Sequence, residues 1–286
     1  MSKRSSRVGG WFVAVIALVV VAGAAYFLVQ RARQADTTPV APATGVASTP
    51  APVSTAPSIA HPITQADTGP APASTAPLPA LADSDASVAD SLIALANGGD
   101  VGAWLVRQSI IPRIVATVDA LPRSDMGRFI LPVKPAGGSL QMEQANGQSV
   151  IGAANAARYA PYMQALASVD SQAVVDWYVH YYPLFQQAYV ELGYPKAYFN
   201  DRLIAVIDHL LAAPEPTQPL IVTPYKQGYA FGDPSLQALS VGQKAMVRIG
   251  TANEAAVKAK LRDVRARLAG SGLRAAPAAA ATSTAR

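Results

Sequence analysis

Cysteine is absent from this chain, and only three of its 286 residues are histidine. The first absence excludes disulfides, thiolate nucleophiles and thiolate metal ligands. It does not assign a compartment, because a disulfide-free chain suits either side of a bacterial inner membrane. The second leaves little imidazole: His61 in a Pro-rich stretch, then His180 and His209. An excess charge of one sign is also missing where it would count. The formal charge of +5 comes from outside the folding region: Lys3, Arg4, Arg7, Arg31, Arg33, Arg274 and Arg286 add seven, and Asp36 and Asp67 subtract two. Between Asp83 and Gly270 the chain has 16 basic and 16 acidic residues. A nucleic-acid binder needs a basic footprint on the folded domain itself, so no nucleic acid is expected as a partner. Nucleophile elbow, phosphate-cradling glycine loop and dinucleotide fingerprint are all missing, and no metal or organic cofactor is expected.

What is present begins with an uncharged run from Val8 to Gln30, bracketed by basic residues. At ~1.5 Å per residue it makes a helix ~34 Å long, enough to cross the hydrocarbon core of a bilayer. Ala22-Gly23-Ala24 resembles a signal-cleavage site, but the run continues through Tyr26, Phe27, Leu28 and Val29 before Arg31 stops it. That length favours an uncleaved anchor over a signal peptide. The expected order is therefore a cytoplasmic stub (1–7) and a transmembrane helix (8–30), with the remainder exported. Residues 31–82 form a Pro/Ala/Thr/Ser-rich tether, with ten prolines between Asp36 and Ala82. Such a composition buries too little apolar surface to order itself. A folding domain follows at 83–270, then a disordered tail at 271–286. The localisation expected is the bacterial inner membrane, with a periplasmic domain.

Within the domain the periodicity is mostly helical. Asp83-Ser84 caps a first helix carrying Val88, Leu92 and Leu95, which stops at Asn97-Gly98-Gly99. A short element carries Trp104 and Leu105. Next comes a helix with Pro112 in its first turn and Ile111, Ile114, Val118 and Leu121 on one face. Asn146-Gly147 reads as the turn of a hairpin pairing Leu140–Met142 with Val150-Ile151. Helix returns near Asn155. Asp170 then caps a long helix to Leu192, with an inward stripe of Val174, Tyr178, Tyr181, Phe185, Ala188 and Leu192 and an expected kink at Pro183. Asn200 opens another helix, with Leu203, Ile204, Ile207 and Leu211 inward. Leu220–Val222 and Tyr229–Phe231 read as short strands, and helices from Ser240 to Arg248 and Asn253 to Leu268 close the domain. The fold class expected is mainly α: a single helical domain with at most one or two short β-hairpins, behind one transmembrane helix and a disordered linker.

Four phrases, WLVRQSIIPRIVATVDALPR (104–123), PLFQQAYVELGYP (183–195), LIAVIDHLLAAPEP (203–216) and YAFGDPSLQALSVGQKAMVRIGTANEAAVKAKLRDVR (229–265), occur in this order. Together they resemble the bacterial domain-of-unknown-function family 3014 over essentially the whole folding region. The resemblance implies an envelope protein with one N-terminal span. It implies no activity, so it brings no functional residues.

Candidate chemistry is sparse. Asp176 and His180 stand at i, i+4, but they share a polar face with Gln187 and Glu191 and read as a solvated pair. Asp208 and His209 are adjacent, so their side chains diverge. Tyrosine is the stronger signal, with six between Tyr178 and Tyr198. Tyr178 and Tyr181 fall on the apolar stripe and read as core, whereas Tyr182, Tyr189, Tyr194 and Tyr198 lie off it and are candidates for binding a partner or a glycan. The last helix has a basic side with Lys258, Arg262 and Arg265, suited to an acidic partner, an anionic glycan or simply solvent. The leading expectation is an envelope module that binds a protein partner. The alternative is a cell-wall glycan-binding module, and third comes a hydrolase assembled from scattered carboxylates. The helical reading makes Leu261 a core position. Leu261→Asp buries an unpaired charge and should abolish the cooperative thermal transition; a wild-type melt would show that the last helix turns a different face inward.

Overall fold

The structure, a computed structural model, describes residues 59–68, 77–96, 101–126, 130–134, 136, 139–225 and 228–270. The expected transmembrane helix at 8–30, the stub and the C-terminal tail lie outside these residues. Among the described residues no helix is long and apolar enough to cross a membrane.

The helices are α1 (Asp85–Leu95), α2 (Val101–Trp104), α3 (Ile110–Ala120), α4 (Ala154–Ala157), α5 (Ala160–Ser168), α6 (Ser171–Glu191), α7 (Phe199–Leu211), α8 (Pro234–Ala238), α9 (Val241–Arg248) and α10 (Thr251–Leu268). Four short strands interrupt them: β1 (Met142–Ala145), β2 (Gln148–Ile151), β3 (Val222–Tyr225) and β4 (Gly228–Phe231). The mainly helical expectation and two hairpins are thus observed, although β1 begins at Met142, where the expected strand Leu140–Met142 ends.

Helix α6 is the axis of the core and packs against α3, α7 and α10. Asp170 caps it as expected, accepting from the Gln172 amide at 2.6 Å and the Ala173 amide at 3.3 Å. The helix is continuous across Pro183, which removes one donor from its ladder. It buries far more than one stripe, because three helices surround it: Val174, Val175, Trp177, Tyr178, Tyr181, Tyr182, Leu184, Phe185, Ala188 and Tyr189 are all inside. Phe185 is the hub, edge-on to Trp177 and Tyr178 at 5.7 and 5.1 Å and stacked on Phe199 of α7 at 5.8 Å. Leu192 corrects the expected stripe. The helix ends at Glu191, and Leu192 caps it ahead of the positive-φ Gly193, leaving Leu192 41% exposed.

Helix α3 starts from Ser109, a non-glycine residue with φ 53°. Asp85 of α1 supports that start, accepting from the Ser109 and Ile110 amides at 2.7 and 2.8 Å. A carboxylate at the positive end of a helix satisfies amides that have no partner within the helix. In the first hairpin both turn residues, Asn146 and Gly147, have positive φ (52° and 74°), the backbone of a two-residue type I′ turn. The hairpins touch through the Val150–Ile221 bridge and the Ile151 amide on the Leu220 carbonyl at 2.9 Å. Val222, Phe231 and Val247 form a small second core beneath them. The β3 boundary lies later than expected, at Val222 rather than Leu220, and α10 begins two residues earlier, at Thr251.

The tether expectation needs a larger correction. Residues 59–68 lie on the domain, with a 3₁₀ turn at Ile63–Gln65, and Leu78 and Leu81 join the core ahead of α1. Composition speaks only to whether this segment could build a core of its own. It does not show that the domain supplies partners for the segment's main chain.

Close packing is most demanding at Gly242 of α9. Its amide donates to the Leu121 carbonyl at 2.9 Å, and a Cβ there would lie 2.6 Å from Leu210 Cδ2 and 3.1 Å from that carbonyl. Gly242→Ala should therefore destabilise by about 1–3 kcal/mol, read as a lower Tm. An unchanged Tm would show that α7 and α9 can separate without loss.

Candidate functional site

The seven residues singled out from the sequence separate into buried, bonded and exposed groups. Tyr182 and Tyr189 are buried at 7% and 4% exposure, a correction to their reading as surface binding groups. They lie off the main stripe of α6, but α7 covers that side as well. The Tyr182 hydroxyl donates to Gln186 Oε1 at 2.9 Å, and its ring lies 5.4 Å from that of Tyr198. Tyr189 stacks on Tyr194 at 4.6 Å. Burial pushes both phenols above their ordinary range, so they stay neutral. Tyr194 and Tyr198 are half-buried. Tyr194 Oη donates to Asp119 Oδ2 at 3.1 Å.

The basic side of α10 is corrected in the same way. Lys258 is 3% exposed, and its ammonium donates to the Ala213 carbonyl at 2.6 Å and to Glu215 Oε1 at 2.7 Å. It also stands 3.0 Å from Glu254 Oε1, a carboxylate that is itself 1% exposed. Arg265 pairs with Asp208, Lys260 bonds the Val169 carbonyl at 2.8 Å, and Arg267 meets Asp263 and Gln172. Only Arg262 among the three predicted cations is exposed. The two histidine pairs also resolve into structural contacts. Asp176 accepts from Gln172 at 3.0 Å, while the His180 ring stands edge-on to Tyr181. Asp208 turns to Arg265, and His209 Nε2 lies 2.8 Å from Ser240 Oγ.

Asp119 is a buried charge that the sequence did not single out. It lies at the end of α3, 2% exposed, and receives Arg123, Tyr194 and the Arg202 Nε at 2.9 Å, while Arg202 Nη2 also bonds its backbone carbonyl at 2.8 Å. These donors satisfy the carboxylate and tie α3 to α7 and the α6–α7 turn. Arg248 is buried as well. Its guanidinium lies 4.4 Å over the Phe231 ring, and desolvation pushes it down to about 10.

Among the described residues, two arrangements stand out as able to receive something. One is an apolar cavity of about 30 Å³ lined by Ile114, Val118, Tyr178, Phe185, Phe199 and Leu261. That space is roughly twice what one water needs, and its apolar walls would keep it dry. It cannot hold a substrate. The other is the face formed by the starts of α6 and α7 and the end of α10, on which residues 59–68 lie. Here Asp201 accepts from the Ala60 and His61 amides at 3.0 and 2.7 Å, Tyr198 Oη accepts from the Ile63 amide at 2.8 Å, and Asn200 Nδ2 donates to the His61 carbonyl at 2.9 Å. Gln172 Nε2 donates to the Asp67 carbonyl at 2.5 Å. Of these partners only Tyr198 was predicted. Asn200 had been expected merely to open α7; in fact it is fully buried within the first turn, with Tyr198 preceding the helix. Among the described residues, no three His, Asp or Glu side chains stand close enough together to hold a metal ion.

Comparison with known proteins places this geometry in a family context. A family model described as "Protein of unknown function (DUF3014)" matches residues 110–265. No curated protein and no solved structure matches the chain. The family match includes Gln172, Tyr198, Asn200 and Asp201, and stops short of the segment they hold.

The buried Lys258 generates a test. Lys258→Met strands Glu254, whose carboxyl burial already raises above its ordinary range against the opposing pull of Lys258. The variant should lose about 3–5 kcal/mol at neutral pH. A raised folded-state carboxyl holds its proton more tightly than the unfolded one, so stability falls as pH rises through that interval. The loss should therefore shrink toward pH 5 in urea titrations. Arg262→Gln should leave stability unchanged, and an unaffected Lys258→Met would mean that the lysine is a surface cation after all.

Proposed function

This chain belongs to the DUF3014 family, and from that premise we propose that it is a single-pass envelope protein whose helical domain binds a protein partner. The anchor is the uncharged run at 8–30, oriented by the positive-inside bias of its short stub. The domain is held off the membrane by the residues that follow. With 59–68 seated on the domain, the spacer between anchor and domain is residues 31–58, whose fully extended reach is ~87 Å at ~3.1 Å per residue.

The observation that carries the partner reading is that the α6–α7–α10 face already recognises polypeptide. It places a carboxylate, a phenol and two amides on main-chain groups of an extended segment. The groups that would have favoured glycan are occupied otherwise: Tyr182 and Tyr189 in the core, Tyr194 on Asp119 and Tyr198 on Ile63. Carboxylates suited to hydrolysis, such as Asp119 and Glu254, are neutralised by internal cations.

The test is in-cell crosslinking of the full-length chain, membrane solubilisation and mass spectrometry. A small set of proteins recovered repeatedly, and lost when residues 59–270 are deleted while 1–58 remain, is the expected result. Recovery independent of that region would overturn the reading. Carbonate extraction that leaves the full chain soluble would separately overturn the anchor.

A further inference from the structure

Residues 59–68 are held on the domain through their main chain. Asp201 binds two successive amides, from Ala60 and His61, and Tyr198 binds the amide of Ile63. Position 62 is passed over, so a proline with no amide fits there without loss. Asn200 and Gln172 take the carbonyls of His61 and Asp67, and the Asp67 amide reaches the Arg267 carbonyl at 2.9 Å. Main-chain groups are the same in every sequence, so this face selects a conformation. Pro62 (φ −58°, ψ 135°) and Ala66 (φ −62°, ψ 134°) both adopt the polyproline-II backbone, with the 3₁₀ turn between them. Side-chain selection is narrow: only Ile63 and Ala66 pack against the core.

Two further observations bear on how firmly the segment is held. None of its ten residues is buried, so its hold is polar and shallow, and such contacts open locally at low cost. The fit is also incomplete. His61 Nδ1 and Asn200 Oδ1, at the centre of the contact, are buried without hydrogen-bond partners, and so is the Tyr178 hydroxyl in the same aromatic group. A ligand that supplied a donor to Asn200 would bind this face better than the chain's own segment does.

We propose that this face of α6, α7 and α10 is a groove for an extended, proline-containing peptide of a partner protein, occupied in cis by residues 59–68 until that peptide displaces them. The proposal rests on the partner-binding reading and gives it a site and a ligand chemistry. The ligand offers two consecutive amides, then proline, then a β-branched or other compact apolar residue. The cis segment competes at the effective concentration of a short tether, in the millimolar range. Binding in trans is therefore suppressed until a better-fitting peptide arrives. Displacement also lengthens the spacer, because residues 59–68 then add their reach to residues 31–58.

The experiment uses the full-length chain in detergent micelles and a fluorescein-labelled peptide of residues 57–70, followed by anisotropy. In one variant residues 59–68 are replaced by ten Gly/Ser residues. The peptide should bind this variant, and bind the wild type at least about tenfold more weakly because its groove is filled. Adding Asp201→Asn to the replaced chain should weaken binding by about tenfold or more, as should N-methylation of the peptide amides at Ala60 and His61. No binding to a replaced chain that circular dichroism shows to be folded overturns the proposal. If the replaced chain does not fold, Asp201→Asn in the native sequence provides a second readout. Limited proteolysis within 59–68 should then accelerate at least about tenfold while the thermal transition of the domain persists; unchanged cleavage overturns the proposal. A wild-type dimer that becomes monomeric on replacing 59–68 would mean that a second copy fills the groove, and would also overturn it. If the peptide fails while crosslinked partners still depend on residues 59–270, the groove falls and the partner reading stands.

Discussion

The aromatic column on α6, running from Trp177 to Tyr189 and meeting Phe199 on α7, sets where everything else can go. Six aromatic rings on one side of a helix would leave a wide apolar surface in water. The chain covers them with α3, α7 and α10, which is why twelve of the 21 residues of α6 are buried. Large flat side chains contribute much burial for few rotatable bonds, so this column suits the centre of a domain with few charges. The small dry void beside Phe185 and Phe199 lies where four helices converge on it.

That convergence also dictates the polar contacts. Helices that meet around one axis bring their ends together, and the ends carry unpaired amides and carbonyls. Asp85 reaches across to the start of α3, Asp119 gathers Arg123 and Arg202 at the end of that helix, and Lys258 joins the end of the α7 segment to Glu254 on α10. The neutral balance of the domain is thus spent largely on internal joints. At the starts of α6 and α7 such groups turn outward and hold residues 59–68.

Much of the helical content was legible because periodicity and caps coincide. Asp170 and Ser240 cap as their positions suggest, Asn146-Gly147 makes the expected turn, and Leu261, Val264 and Leu268 face inward. Failures occurred wherever burial came from more than one side. A single helical stripe cannot show that α7 covers Tyr182 and Tyr189, nor that Lys258, spaced like a surface cation, points at a buried glutamate. Asn200 read as an ordinary helix start, and Asp201 drew no notice, because their partners lie about 140 residues earlier, at Ala60 and His61. Low apolar content in 31–82 speaks against an independent core. It is blind to docking by main-chain hydrogen bonds, which leave no mark in composition.

Hydrogen–deuterium exchange on the full-length chain tests the docking of residues 59–68 most directly. If the segment sits in the groove as an exchangeable occupant, the amides of Ala60, His61, Ile63 and Asp67 should exchange more slowly than a random coil and well ahead of those in α6. Exchange at the random-coil rate throughout 59–68 would mean that the segment does not occupy the groove. Protection as deep as that of α6 would make it a permanent part of the core, which no partner peptide could displace.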